Sequence, residues 1–131
     1  MKNTLLVVAL IIVCATASGQ TNQVALDSLF PVRGLCIAAP QRDRLDDFIR
    51  FIDDALAPRQ VNTLVLRIDF NYQFESHPEL RDSGALTKQE VKRLVNACKS
   101  KKIRLIPQIN LLGHQSWAGT VENLLRVYPQ F

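Results

Sequence analysis

The chain has no glycine-rich phosphate loop and no serine-centred nucleophile turn, which removes the usual signatures of nucleotide binding and serine hydrolysis. Histidine is scarce: His77 and His114 stand far apart and form no ligand cluster with the cysteines, so neither a metal site nor a cofactor is expected. Sixteen lysines and arginines against twelve acids give a net charge of +4, and the two signs are interspersed. Such a mixture reads as a solvated surface and argues against a nucleic-acid partner. Lys99, Lys101 and Lys102 form the only basic cluster, at the end of an expected helix, where cations complement the dipole. Internal repeats and low-complexity segments are absent.

No apolar run reaches the roughly 20 residues of a membrane span. The longest candidate, Leu5 to Val13, follows Lys2 and leads into the small residues Ala15, Ala17, Ser18 and Gly19. That order is the pattern of a secretory signal peptide over residues 1–19, and it predicts a secreted or periplasmic protein without a stable membrane span. Cys14 belongs to the discarded segment, because bulky Val13 precedes it where a lipidation signal wants a small residue. Residues 20–30 are a polar lead-in, and 31–131 read as one domain.

Two cysteines remain, in a compartment that permits disulfides. Cys36 falls on a strand and Cys98 on the apolar stripe of a helix outside the sheet, so the sheet separates the sulfurs. Two buried free thiols are expected.

Hydrophobic periodicity alternates between the two kinds of regular structure. Val32 to Ala39, between Pro31 and Pro40, predicts a first strand. Asp43 is expected to cap a helix in which Leu45, Phe48, Ile49, Ile52, Ala55 and Leu56 recur at helical spacing, closed by Pro58. Asn62 to Phe70 predicts a second strand, with Leu64, Leu66 and Ile68 on one face and Val65, Arg67 and Asp69 on the other. A long loop, Asn71 to Leu86, follows, and long loops after strands are often functional. Thr87 with Glu90 forms a capping box ahead of the stripe Val91, Leu94, Val95 and Cys98. Thr120 to Val127 is expected to begin a further capped helix.

Ile103 to His114 carries the most information. Alternation places Arg104, Ile106, Gln108 and Asn110 on one face and Leu105, Pro107 and Ile109 on the other, and the strand breaks into a Gly113-His114 turn. Strand, helix, strand, helix, strand with these connections defines two successive βαβ units and a parallel sheet. The expected fold is therefore α/β: a partial (β/α)8 TIM barrel consisting of its first three βα units, roughly three of the eight in a complete barrel. Polar groups at strand C-termini are where such barrels keep their chemistry, which makes Asp69, Gln108, Asn110 and His114 the candidate binding residues. Arg67 and Asp69 can equally form a structural ion pair. Trp117 is either a sugar-stacking face or a core side chain. Tyr72 and Phe74 stand open between substrate contact and loop anchoring, while His77 before Pro78 reads as solvated.

Ordered anchors along residues 32–131 carry a resemblance: Arg33-Gly34, Asn62-Thr63-Leu64, Pro78-Glu79-Leu80, Ile106-Pro107-Gln108-Ile109-Asn110 into Gly113-His114, then Tyr128-Pro129. In these the chain resembles the catalytic barrel of family 20 glycoside hydrolases, the β-N-acetylhexosaminidases and relatives. The family's third strand carries acids where this sequence has the amides Gln108 and Asn110. An amide hydrogen-bonds a hydroxyl but does not orient a neighbour through a full charge. On the first strand, Ala38 stands at the family's acid position and Gln41 at that of its sugar-gripping arginine; Arg42 would substitute if the turn shifts by one residue.

The resemblance implies a secreted glycoside hydrolase fragment whose full-length form acts on terminal β-linked amino sugars or related glycans. The family's catalytic Asp-Glu pair follows a fourth strand, so no catalytic residue is assigned to this chain, and alone it is expected to be inactive and to need the remainder of the barrel. The implied substrate-binding set is Asp69, Gln108, Asn110, His114, Arg42 and Trp117. A non-catalytic secreted carbohydrate-binding or interaction protein derived from the barrel is the alternative.

Overall fold

A computed structural model of the protein describes residues 27–110, 113, 115–117 and 120–131. The expected signal peptide, His114 and the side chain of Trp117 lie outside the described residues. The chain divides into two units, Met1–Arg33 and Gly34–Phe131. In the first, Arg33 pairs with Asp27 at 2.8 Å and donates to the Phe30 carbonyl at 2.7 Å.

The second unit is α/β. Three strands, β1 (Gly34–Ala38), β2 (Thr63–Arg67) and β3 (Arg104–Gln108), form one parallel sheet in the order β1-β2-β3. The register sets Cys36 beside Val65 and Val65 beside Ile106, then Ala38, Arg67 and Gln108 in the next same-face row. Each strand is five residues long, shorter than the run expected from the sequence, so Ile68, Asp69 and Phe70 lie beyond β2 and Ile109 and Asn110 beyond β3.

Helices α1 (Leu45–Phe51) and α2 (Lys88–Ser100) connect the strands. Both lay their apolar stripes on one face of the sheet. Leu64 and Leu66 are fully buried there with Leu45, Ile52, Leu56, Leu94, Cys98 and Ile103, and Leu35, Ile37 and Leu105 pack at the margin. Burying a leucine side chain of this kind contributes about 1.5–3 kcal/mol, so this layer is the main stabilising element. The helices also meet through charge: Asp46 pairs with Arg93, and Asp53 with Lys101 at 3.5 Å.

The other face of the sheet carries no covering layer among the described residues. Gly34, Cys36, Ala38, Arg67, Arg104 and Ile106 are exposed on it, and Val65 and Gln108 half-buried. That corrects the expectation for the cysteines. Both are free and the sheet does separate them, but Cys36 is exposed and only Cys98 is buried. Burial pushes the Cys98 thiol above its ordinary pKa, because a thiolate there would lose its hydration.

Local signals fare unequally. The capping box at α2 forms as expected: the Thr87 hydroxyl accepts from the Glu90 N–H at 3.2 Å and the Glu90 carboxylate accepts from the Thr87 N–H at 2.7 Å. Asp43 does not cap α1. It lies inside a 3₁₀ turn, Arg42–Arg44, that leads into the helix, and no side chain caps the entry. The C-terminal end of α1 widens into a π-type turn over Ile52–Leu56. Thr120 does not cap the last helix either. It belongs to β5 (Thr120–Val121), which pairs antiparallel with β4 (Ser116–Trp117), and α3 is confined to Asn123–Val127.

Candidate functional site

The carboxyl ends of β2 and β3 lie side by side, and both chains turn there. Asp69, two residues past β2, adopts φ 46°, a left-handed conformation that aspartate tolerates better than most residues. This turn aims its carboxylate at β3: one oxygen accepts the Asn110 N–H at 2.9 Å and the other lies 3.4 Å from Arg67 Nε. The Ile68 N–H donates to the Gln108 carbonyl at 2.8 Å, extending the pairing one residue beyond the strand. The structural ion pair with Arg67 is thus present, and the carboxylate stands just past the strand end.

Beside it is a cavity of about 310 Å³ lined by Asp69, Gln108, Tyr72, Phe74, Pro107 and Ile109, with Ile68 and Val91 beneath. The Tyr72 and Phe74 rings meet edge to face, 5.2 Å between centroids and 87° between planes. Apolar walls with a few convergent polar groups at strand C-termini are the usual make-up of a small-molecule site. Asp69 is the one carboxylate in this lining.

The loop that supplies the rings is firmly tied. Asn71 is buried and its Nδ2 donates to the Pro40 carbonyl at 2.8 Å, joining the turn after β1 to the loop after β2. The Gln73 N–H donates to the Leu86 carbonyl at 2.9 Å, and Arg81 Nε to that of Phe74 at 2.7 Å. Asn123 on α3 donates to the Leu80 carbonyl at 2.8 Å and to Asp82 at 2.9 Å. The Tyr128 hydroxyl donates to Glu79 at 2.5 Å, which lowers the Glu79 pKa and raises that of the phenol.

The sequence-derived residues separate into three groups. Asp69 and Gln108 line the cavity, and Asn110 joins them through its backbone N–H. Gln108 also accepts a 3.5 Å contact from the Cys36 thiol across the open face. Arg42 does not line the cavity: its Nε is 3.2 Å from Glu90 and its Nη2 donates to the Ala85 carbonyl at 2.6 Å, so it fastens the 82–86 segment to the start of α2. Together with the Thr87 N–H, which contributes most, and the Thr87 hydroxyl, Arg42 holds the Glu90 carboxyl below its ordinary pKa. His114 lies outside the described residues, and Trp117 is placed on β4 by its backbone alone.

Two supporting residues carried no signal in the sequence. Asn71 looks like any loop asparagine. Gln115, also buried, donates from Nε2 to the Asn110 carbonyl at 2.5 Å and so pins the turn after β3. His77 is exposed and its Nδ1 lies 2.9 Å from the Ser76 hydroxyl.

Among the described residues no group of three or more His, Cys, Asp or Glu side chains is placed to hold a metal ion, and no helix is long and apolar enough to cross a membrane. No protein-family model matches the chain, and no curated protein matches it.

Proposed function

We propose that the cavity beside Asp69 is a carbohydrate-binding site, and that the three βα units are the opening of a (β/α)8 barrel acting on β-linked amino sugars or related glycans. The observation that carries the reading is the grouping of one carboxylate, one side-chain amide and two aromatic rings at the carboxyl ends of adjacent parallel strands. Carboxylates and amides accept and donate to sugar hydroxyls, and aromatic faces complement the C–H faces of pyranose rings. The anchors shared with family 20 glycoside hydrolases point the same way. Export belongs to the same proposal and rests on the Lys2, Leu5 to Val13 and Gly19 pattern.

Glycoside hydrolysis needs a proton donor at the glycosidic oxygen and a nucleophile or base, supplied in substrate-assisted enzymes by the sugar itself. Asp69 is already engaged by Arg67 and the Asn110 N–H, which suits it to orienting a hydroxyl rather than to passing a proton. These residues accordingly bind, and the acid pair is assigned to a strand beyond β3. A non-catalytic sugar-binding protein is the second reading, favoured by the single carboxylate in the cavity.

Calorimetric titration of the full chain with N-acetylglucosamine oligosaccharides tests the site. Saturable binding is expected, with Asp69→Asn weakening it about tenfold, or 1.4 kcal/mol. That variant keeps the fold, since its amide oxygen still accepts the Asn110 N–H. Absence of binding to any β-linked glycan, or an unchanged affinity in the variant, overturns the assignment. Release of nitrophenol from an aryl N-acetylglucosaminide by the same sample would contradict the division between binding and catalytic residues.

A further inference from the structure

The two rings of the cavity are held by different means. At Tyr72 the support is backbone: Tyr72 bridges to Leu86, and the Gln73 N–H donates to the Leu86 carbonyl at 2.9 Å. Past Phe74 that support stops, since residues 75–79 are exposed and, among the described residues, no backbone N–H donates to the Phe74 carbonyl. The Arg81 side chain takes over. Its Nε donates to that oxygen at 2.7 Å and its Nη2 converges on the same atom. A charged donor makes the stronger hydrogen bond, and the planar guanidinium loses less freedom in making it than a flexible ammonium would.

Arg81 is in turn held from both sides. Asn123 of α3 is only 6% exposed, and its Nδ2 donates to the Leu80 carbonyl at 2.8 Å and to Asp82 at 2.9 Å, while its Oδ1 accepts from Arg126. Both donations fall on the residues that flank Arg81, and the Asp82 N–H donates to the Phe70 carbonyl at 3.0 Å. We infer that Arg81 is a positioning residue of the cavity, fixing the Phe74 ring against Tyr72, and that Asn123 sets Arg81 in place. Neither side chain lines the cavity. The inference rests on the carbohydrate reading of that cavity, because a ring fixed before the sugar arrives does not have to be ordered on binding.

Two measurements on the full chain test the role, with Arg81→Ala and Arg81→Lys, both outside the buried core layer and so compatible with folding. In the free protein, nuclear Overhauser contacts between the Tyr72 and Phe74 rings, 5.2 Å apart between centroids, should be clear in wild type, lost in Arg81→Ala and largely kept in Arg81→Lys, which retains one charged donor. In calorimetric titration with an N-acetylglucosamine oligosaccharide, Arg81→Ala should bind roughly three- to tenfold more weakly, the range expected for ordering a released side chain, and Arg81→Lys should recover most of the loss. Asn123→Ala should reproduce both effects, and the double variant should bind no more weakly than Arg81→Ala alone, because the two act in series. An intact ring contact in Arg81→Ala, or wild-type affinity beside a lowered thermal melt, marks a purely structural arginine and overturns the proposal. Additive losses in the double variant overturn the part given to Asn123. If wild type binds no glycan, the carbohydrate reading falls, and the ring contact alone decides whether Arg81 positions Phe74.

Discussion

Replacing Asn71 by alanine, and separately by aspartate, probes how the loop that carries Tyr72 and Phe74 is fixed. Its Nδ2 donates at 2.8 Å to the Pro40 carbonyl, with a longer 3.5 Å contact to that of Ala39, and Asn71 and Pro40 are both buried. Alanine removes the donor and strands a carbonyl away from water, a loss of about 1–3 kcal/mol. Aspartate does more harm at neutral pH: an ionised carboxylate only accepts, and it would face two carbonyl oxygens without a counter-charge. An uncompensated buried charge costs about 3–5 kcal/mol, a large part of the roughly 5–15 kcal/mol that stabilises a typical domain. Burial raises the folded pKa of the introduced carboxyl above its unfolded value of about 3.9. The penalty is therefore absent below about pH 4, where the protonated group donates to Pro40, and it grows as pH rises towards the folded pKa. Urea unfolding followed by circular dichroism at pH 7 should rank wild type above Asn71→Ala and Asn71→Asp last, and the two variants should converge or exchange order at pH 4. An aspartate variant as stable as wild type at pH 7, or a gap that ignores pH, refutes the reasoning.

Three further outcomes follow from the same geometry. Thr87→Ala should cost about 1 kcal/mol in urea unfolding through loss of the α2 capping box, and a change within error would show that the box is not stabilising. The Glu90 carboxyl is held below its unfolded value, so its stabilisation is present above about pH 4.3 and lost as pH falls through the lower folded pKa. Glu90→Gln should accordingly flatten the acid limb of the stability profile, and a parallel limb would contradict this. In a Cys14→Ser background, a thiol reagent should modify Cys36 at once and Cys98 only on unfolding, since one is exposed and the other buried with its thiolate disfavoured. Two rapid equivalents in the native state would be incompatible with the core described.

The layered α/β arrangement was legible because its signals are periodic. Leu64, Leu66 and Ile68 alternate with Val65 and Arg67, the α2 stripe follows the helical period, and Thr87 with Glu90 marks a helix start whose two hydrogen bonds both form. What stayed hidden was short or conformational. A two-residue ladder such as β4 with β5 has no period to detect, so Thr120 resembled a helix cap. Asp43 has the right chemistry for a cap, but the chain enters α1 through a 3₁₀ turn and leaves its side chain nothing to cap. Cys36 sits at a strand position that reads as interior, yet no layer covers that face of the sheet among the described residues. Parity alone placed Asp69 and Gln108 at the strand ends, whereas the left-handed turn at Asp69 and the Asn71 and Gln115 anchors depend on backbone geometry that residue types do not encode.

The central claim is that the pocket between the carboxyl ends of β2 and β3 receives a sugar. Amide chemical shifts of the isotope-labelled full chain, recorded while an N-acetylglucosamine oligosaccharide is added, test it residue by residue. The account predicts saturable shifts concentrated at Asp69, Tyr72, Phe74, Gln108 and Asn110. Shifts gathered instead around His77, Leu124 and Tyr128, or none at all, would contradict it.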